Sequence, residues 1–227
     1  MELGISSEVG TKFPGVEAPL VEIRDVKIQL TNKKLEELKD RIVQEVRKKL
    51  NIEDLGKNPV LRLYRNFFWR VGIDPTKKRP ANEALLRRVL RGNPLPRVNT
   101  LVDCYNLVSL QSCVPIAAFD LETLCGGLTL RFAREGETFL GIGMEKPVQL
   151  KGCELVVADE EKLVAIYPYR DAEETKVTTK TRDVLIMVCG VPGVDKKLLG
   201  YAKKLCVEWI PSFCGGTPVE TPSSIQP

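Results

Sequence analysis

The chain contains no histidine at all, and only 6% of its 227 residues are aromatic. Without histidine there is no Ser-His-Asp or Cys-His catalytic arrangement and no imidazole to ligate zinc. Seven cysteines are present, at positions 104, 113, 125, 153, 189, 206 and 214, but none forms a CxxC pair. Their spacing excludes the common zinc modules, so no metal or cofactor is expected, and they read best as small buried hydrophobes. No apolar run approaches the roughly 20 residues needed to cross a bilayer. The first ten residues, MELGISSEVG, lack the basic start and apolar stretch of a secretory signal, so a cytoplasmic location away from membranes is expected. There is no GxxxxGK[ST] phosphate loop, and Gly141 and Gly143 do not continue into a GxGxxG fingerprint. The pairs of glycines that follow Cys125 and Cys214 read as turns.

What is present is an ordinary globular composition, 43% hydrophobic and 28% charged. The net charge of +4 is unevenly spread. Residues 60–92 hold nine Lys/Arg against two acids, whereas residues 93–175 hold seven against thirteen. That polarity suits one face laid on a phosphate backbone. The plain alternative is a solvated helical surface. Lys77, Lys78, Arg79, Arg87, Arg88 and Arg91 are the candidate contacts.

Periodicity divides the chain. LVEIRDVKIQL at 20–30 alternates as a strand, with a phase shift near Asp25. Leu35, Leu38, Ile42, Val46 and Leu50 mark an amphipathic helix over 32–50, capped by Asn32. Further helices are expected over about 58–71, 81–91, 101–113 and 195–210. From about 128 the pattern turns to β: LTLRFA, TFLGIG, PVQL, ELVVAD, LVAIYPY and DVLIMVCG. The fold class is therefore α+β, a helical N-terminal part packed on a sheet-rich part. The expected organisation is an N-terminal strand and basic helices over 1–92, packed as part of the same unit as a core over 93–210, and a proline- and glycine-rich tail over 211–227 that is mobile at its end.

The most informative stretch is PRVNTLVDCYNLVSLQSCVPIAAFDLETLCG at 96–126. It resembles the editing domain of the phenylalanyl-tRNA synthetase beta subunit, whose pattern reads approximately R-P-I-N-N-V-V-D-x-T-N-Y-V followed by Q-P-x-H-A-F-D. Asn99, Val102, Asp103 and Asn106 fall in register, as do Pro115, Ala118, Phe119 and Asp120. The likeness continues through LRFAREGETFLGI, ELVVAD and KVTTKTRDVLIMV in one collinear order over about 94–190. The stretches FFWRVGIDPTKKRPANEALLRRVLRG and IYPYRDAEETKVT resemble the free-standing versions of this domain.

The resemblance implies a sandwich-like core and action on aminoacyl-tRNA, with RNA rather than DNA as the partner: hydrolysis of the ester of a mischarged tRNA, in trans. An aminoacyl ester is already activated, so side-chain amides, hydroxyls and backbone amides suffice to hold it, place a water and stabilise an oxyanion. Asn99 and Thr100, in a turn before a helix, are the candidate catalytic pair; helix capping is their plain role. Asp103, Asn106, Pro115, Ala117, Gly141, Arg170, Asp171 and Thr178 are candidate substrate-binding residues. For Asp103 and Asn106 the alternative is binding backbone. For Arg170 and Asp171 it is a surface ion pair, and for Thr178 plain strand formation. The chain departs from the family at Ala117, where the pattern has histidine, and at Met187, near a glutamate position. Both changes remove polar groups, so tyrosine selectivity does not carry over. The competing readings are a non-catalytic tRNA-binding module and a small-molecule binder on the same fold.

Overall fold

The structure is a computed structural model that describes residues 1–219. Its strands are β1 (Leu3–Ile5), β2 (Leu20–Arg24), β3 (Ile116–Asp120), β4 (Leu128–Phe132), β5 (Glu135–Phe139), β6 (Val148–Lys151), β7 (Leu155–Ala158), β8 (Leu163–Ile166), β9 (Arg170–Asp171), β10 (Val184–Val188) and β11 (Thr217–Val219). Its helices are α1 (Ser7–Lys12), α2 (Lys33–Lys49), α3 (Pro59–Arg70), α4 (Ala81–Leu90), α5 (Thr100–Ser112) and α6 (Lys196–Cys214). The fold is α+β. One sheet has the order β1-β4-β7-β8-β9, a second β11-β2-β10-β3, and β5 and β6 form a separate ribbon. All pairings are antiparallel except β1 with β4.

Continuous apolar runs explain which strands are central. VLIMV of β10, LVVA of β7 and LVAI of β8 are buried at every position, as strands covered on both faces must be. Helices α5 and α6 pack on each other and reach β3, β2 and β10, while α2 and α4 lie against α5. Helix starts are set by side-chain caps: Asn32, Asn58, Asn99 and Asp195 each accept a hydrogen bond from a first-turn amide. Among the described residues, no helix is long and apolar enough to cross a membrane.

The N-terminal segment is woven into both sheets, because β1 pairs with β4 and β2 with β10. The expected long strand over 20–30 stops at Arg24, and Asp25 takes a left-handed φ of 59° where the phase shift was read. Helix α6 does not end at residue 210: it runs through Pro211 to Cys214. Gly215 and Gly216, both with positive φ, then turn the chain back so that β11 can pair with β2. A Cβ on Gly216 would meet the Arg24 carbonyl oxygen at 2.6 Å, so the close approach demands glycine. Thus part of the expected tail belongs to a sheet. The mobile end expected at 220–227 lies outside the described residues.

The start of α5 is held by polar groups inside the core. Asp103, 3% exposed, accepts from the Lys39 ammonium at 2.9 Å and from the Val98 amide at 3.0 Å. Lys39 also pairs with Glu36. Removing one partner of such a buried pair strands the other charge. Asp103→Ala should therefore lower unfolding stability by about 3 kcal/mol or more. The double variant Lys39→Met/Asp103→Leu should lose less, and urea titration of the two would show the difference.

Candidate functional site

A cavity of about 180 Å³ opens beside the second sheet. Helix α5 contributes Tyr105 and Asn106, the chain entering β3 contributes Pro115, Ile116 and Ala117, and β10 with its extension contributes Met187 and Cys189. The remaining wall is β8 and the turn that follows it, from Ala165 to Asp171, together with Ala81 at the start of α4. The Tyr167–Pro168 peptide in that wall is cis. Two tyrosine hydroxyls pin the floor: Tyr64 donates to the Cys189 carbonyl at 2.8 Å and Tyr167 to the Gly190 carbonyl at 2.5 Å.

Five sequence candidates meet here: Asn106, Pro115, Ala117, Arg170 and Asp171. So does Met187, and the register of β10 on β3 sets Met187 directly opposite Ala117. The two positions where the chain departs from the editing pattern are thus cross-strand neighbours, and both leave the wall apolar.

Gly141 does not line the cavity but bridges to Ala172, and a side chain there would collide with the stem of Arg170. Its smallness lets Arg170 lie across the 141–142 turn and donate to the Ile142 carbonyl at 2.8 Å. The alternative reading of Arg170 and Asp171 as a surface ion pair finds no counterpart among the ion pairs of the described residues.

The other candidates lie elsewhere. Asn99 caps α5 by accepting from the Val102 amide at 2.9 Å. Thr100 Oγ1 accepts from the Gln29 amide at 3.0 Å and from the Cys214 thiol at 3.3 Å. Both are at most 5% exposed, and neither lines the cavity. Asp103 is held by Lys39. Thr178 closes a local turn, its hydroxyl accepting from the Lys180 amide. The motif containing these residues therefore builds the helix that carries Tyr105 and Asn106.

The basic candidates divide. Lys77, Lys78 and Arg79 are exposed on the loop between α3 and α4. Lys78 Nζ lies 5.1 Å from the Tyr169 ring centre and the Arg170 guanidinium 5.2 Å from it, so two cations flank a cavity-lining aromatic. Arg87 is instead clasped with Arg65 on the buried Glu83, and Arg88 donates to the Pro94 carbonyl. Arg91 is exposed just beyond α4.

Sequence reading missed the tyrosines. Three of the chain's five, Tyr105, Tyr167 and Tyr169, line this one cavity. In a chain so poor in aromatics, the YPY at 167–169 was an available signal.

Asp171 sets the electrostatics. Burial pushes its carboxyl up from 3.8 to about 7, opposed only by the Ala118 backbone N–H. Burial, with the Asp171 charge added, also raises the Tyr105 hydroxyl and the Cys189 thiol, so Cys189 is no ready nucleophile at neutral pH. Among the described residues, no group of three or more His, Cys, Asp or Glu is placed to hold a metal ion.

A family model described as "B3/4 domain" matches residues 63–215. The phenylalanine–tRNA ligase beta subunit of Chromobacterium violaceum is 36% identical over 103 residues, 45% of this chain and 13% of that protein. That of Fusobacterium nucleatum subsp. nucleatum is 33% identical over 104 residues, 45% of this chain and 13% of that protein. The chain thus matches about an eighth of the length of these curated relatives. Among solved structures, an N-terminal fragment of the phenylalanyl-tRNA synthetase beta subunit from Pyrococcus horikoshii aligns with a TM-score of 0.51. That alignment covers 96% of this chain and 50% of the fragment at 14% identity, a likeness of fold alone.

The raised carboxyl has a consequence for stability. A folded-state pKa above the unfolded value means that the folded state holds its proton longer, so stability falls as pH rises from about 4 through 7. Asp171→Asn should therefore melt higher than the parent at pH 8, by on the order of a few kcal/mol. The two should converge near pH 3.5, and thermal melts at both pH values check the sign.

Proposed function

The chain belongs to the B3/4 domain family, and on that premise we propose that it hydrolyses the ester of an aminoacyl-tRNA in trans. The observation that carries this reading is the cavity itself, a partly open space of about 180 Å³ flanked by Lys78 and Arg170. Its volume is comparable to the roughly 150 Å³ cavity known to admit a benzene-sized group. That suits one aminoacyl group and excludes a base-paired stem.

The chemistry asked of the protein is modest. Asn106 offers a side-chain amide to the ester carbonyl, and the neighbouring backbone and tyrosine hydroxyls complete a polar edge on an otherwise apolar wall. Arg170, seated over Gly141, faces the terminal nucleotide. Lys77, Lys78, Arg79 and Arg91 meet the phosphates that lead to it. Asn99 and Thr100 act through the helix they start rather than by touching the ester.

A second reading, a tRNA-binding module without turnover, is favoured by the apolar pairing of Ala117 with Met187. The two separate by release of amino acid from a panel of mischarged and correctly charged tRNAs. Release of one species establishes hydrolysis, and Asn106→Ala should then slow release while leaving tRNA affinity within about twofold. Binding without release supports the module.

Affinity measured against salt should fall with a log–log slope of about −0.7 to −0.9 per phosphate neutralised. Lys77→Ala/Lys78→Ala/Arg79→Ala should flatten that slope by about one unit or more. A salt-independent affinity would point instead to a small-molecule binder.

A further inference from the structure

Among the described residues, Asp171 is the one acidic side chain lining the cavity, and no basic side chain pairs with it. Arg170, next along the chain, is committed to the Ile142 carbonyl and to Tyr169. Lys78 lies over Tyr169. Among the described residues Asp171 enters no ion pair. The groups that face it are the Ala118 amide from β3, the Tyr105 hydroxyl from α5 and the Cys189 thiol beyond β10. None of these carries a positive charge. An ionised carboxylate has about four acceptor positions, and one backbone amide leaves most of them open. The cavity thus holds an anion-forming group whose counter-ion must come from the ligand.

An aminoacyl ester brings one cation of its own, the α-ammonium, which supplies three donors and a charge close to the ester carbon. We infer that Asp171 anchors the free α-ammonium of the substrate, so that the site takes esters of unblocked amino acids and turns away N-acylated ones. The inference rests on the reading of the cavity as an aminoacyl-ester site. It also accounts for an otherwise uncompensated carboxyl inside an apolar wall: the pairing is completed only when the ligand arrives. Acylation of the amine removes both charge and donors and adds bulk to a space of about 180 Å³. Because the carboxyl is neutral below about 7 in the free protein, the amine-dependent part of binding strengthens as pH rises through 7. It weakens again where an α-amine deprotonates, at about 8.

Two measurements on the full chain test this, with the Asp171→Asn variant first shown to be folded by its melting transition. The first compares release from aminoacyl-tRNA with a free amine and from the same species after N-acetylation. The expected result is a preference of about tenfold or more for the free amine, narrowed to within about twofold in Asp171→Asn. The second measures binding of a non-hydrolysable 3′-aminoacylamido-adenosine and its N-acetyl counterpart between pH 6 and 9. The free amine should bind more tightly, with a maximum between pH 7 and 8 that Asp171→Asn abolishes.

Release without amine preference, lost in Asp171→Asn, overturns the anchor and makes Asp171 the base that activates water. Amine-dependent binding without any release keeps the anchor and overturns hydrolysis. Failure of either probe to bind, together with no release, overturns both.

Discussion

The structure depends on how the first turn of α5 is fixed. Asn99, Thr100 and Asp103 are buried, and each polar atom in them that matters to the helix has a partner: the Val102 amide, the Gln29 amide, the Val98 amide and the Lys39 ammonium. Together these bonds tie α5 to α2 and to the segment that follows β2. Buried polar groups of this kind cost stability when half satisfied, and they fix one arrangement when fully satisfied. With its start locked, α5 presents Tyr105 and Asn106 to the cavity about two turns further along.

That arrangement explains what the sequence could and could not reveal. Asn-Thr-x-x-Asp looks like a reactive cluster because polar residues at helical spacing near a turn serve a site and an anchor equally well. Only the surroundings separate the two, and here they are packed protein. Asn106, Pro115 and Ala117, picked out by the collinear resemblance, and Arg170 and Asp171, picked out at the end of an apolar strand, line one cavity although they come from four separate elements or turns. The long helices were legible from the 3.6-residue period. Strand β10 was legible as an unbroken apolar run. The three-residue strands β1 and β11 and the two-residue β9 are too short to show any period. Strand β3 is a short apolar run whose pairing to β10 is a long-range fact. The same register explains why Ala117 and Met187, 70 residues apart, act as one patch of wall.

Charge is sorted by depth around the cavity. The cations Lys78 and Arg170 are at the rim, stacked on Tyr169, whereas the lone carboxyl sits inside. A polyanion is drawn to such a rim and held out of the interior, and a small cationic group is drawn inward. An aminoacylated RNA end has both features, a phosphate chain outside and an ammonium at its tip. This complementarity suits ester hydrolysis and binding alike.

The weaving of the first strands into both sheets bears on how the protein is made. Strand β2 pairs with β10, which begins about 160 residues later, and β1 pairs with β4, whose partner residues lie 125 positions further on (Leu3 with Leu128). At ribosomal speeds of about 5–20 residues per second, β2 waits roughly 10–30 s for its partner. During that interval its apolar residues Leu20, Val21 and Ile23 have no sheet to enter. The nascent chain therefore carries an unpaired strand for most of its synthesis, which makes shielding by a chaperone or the ribosome surface a condition of high yield.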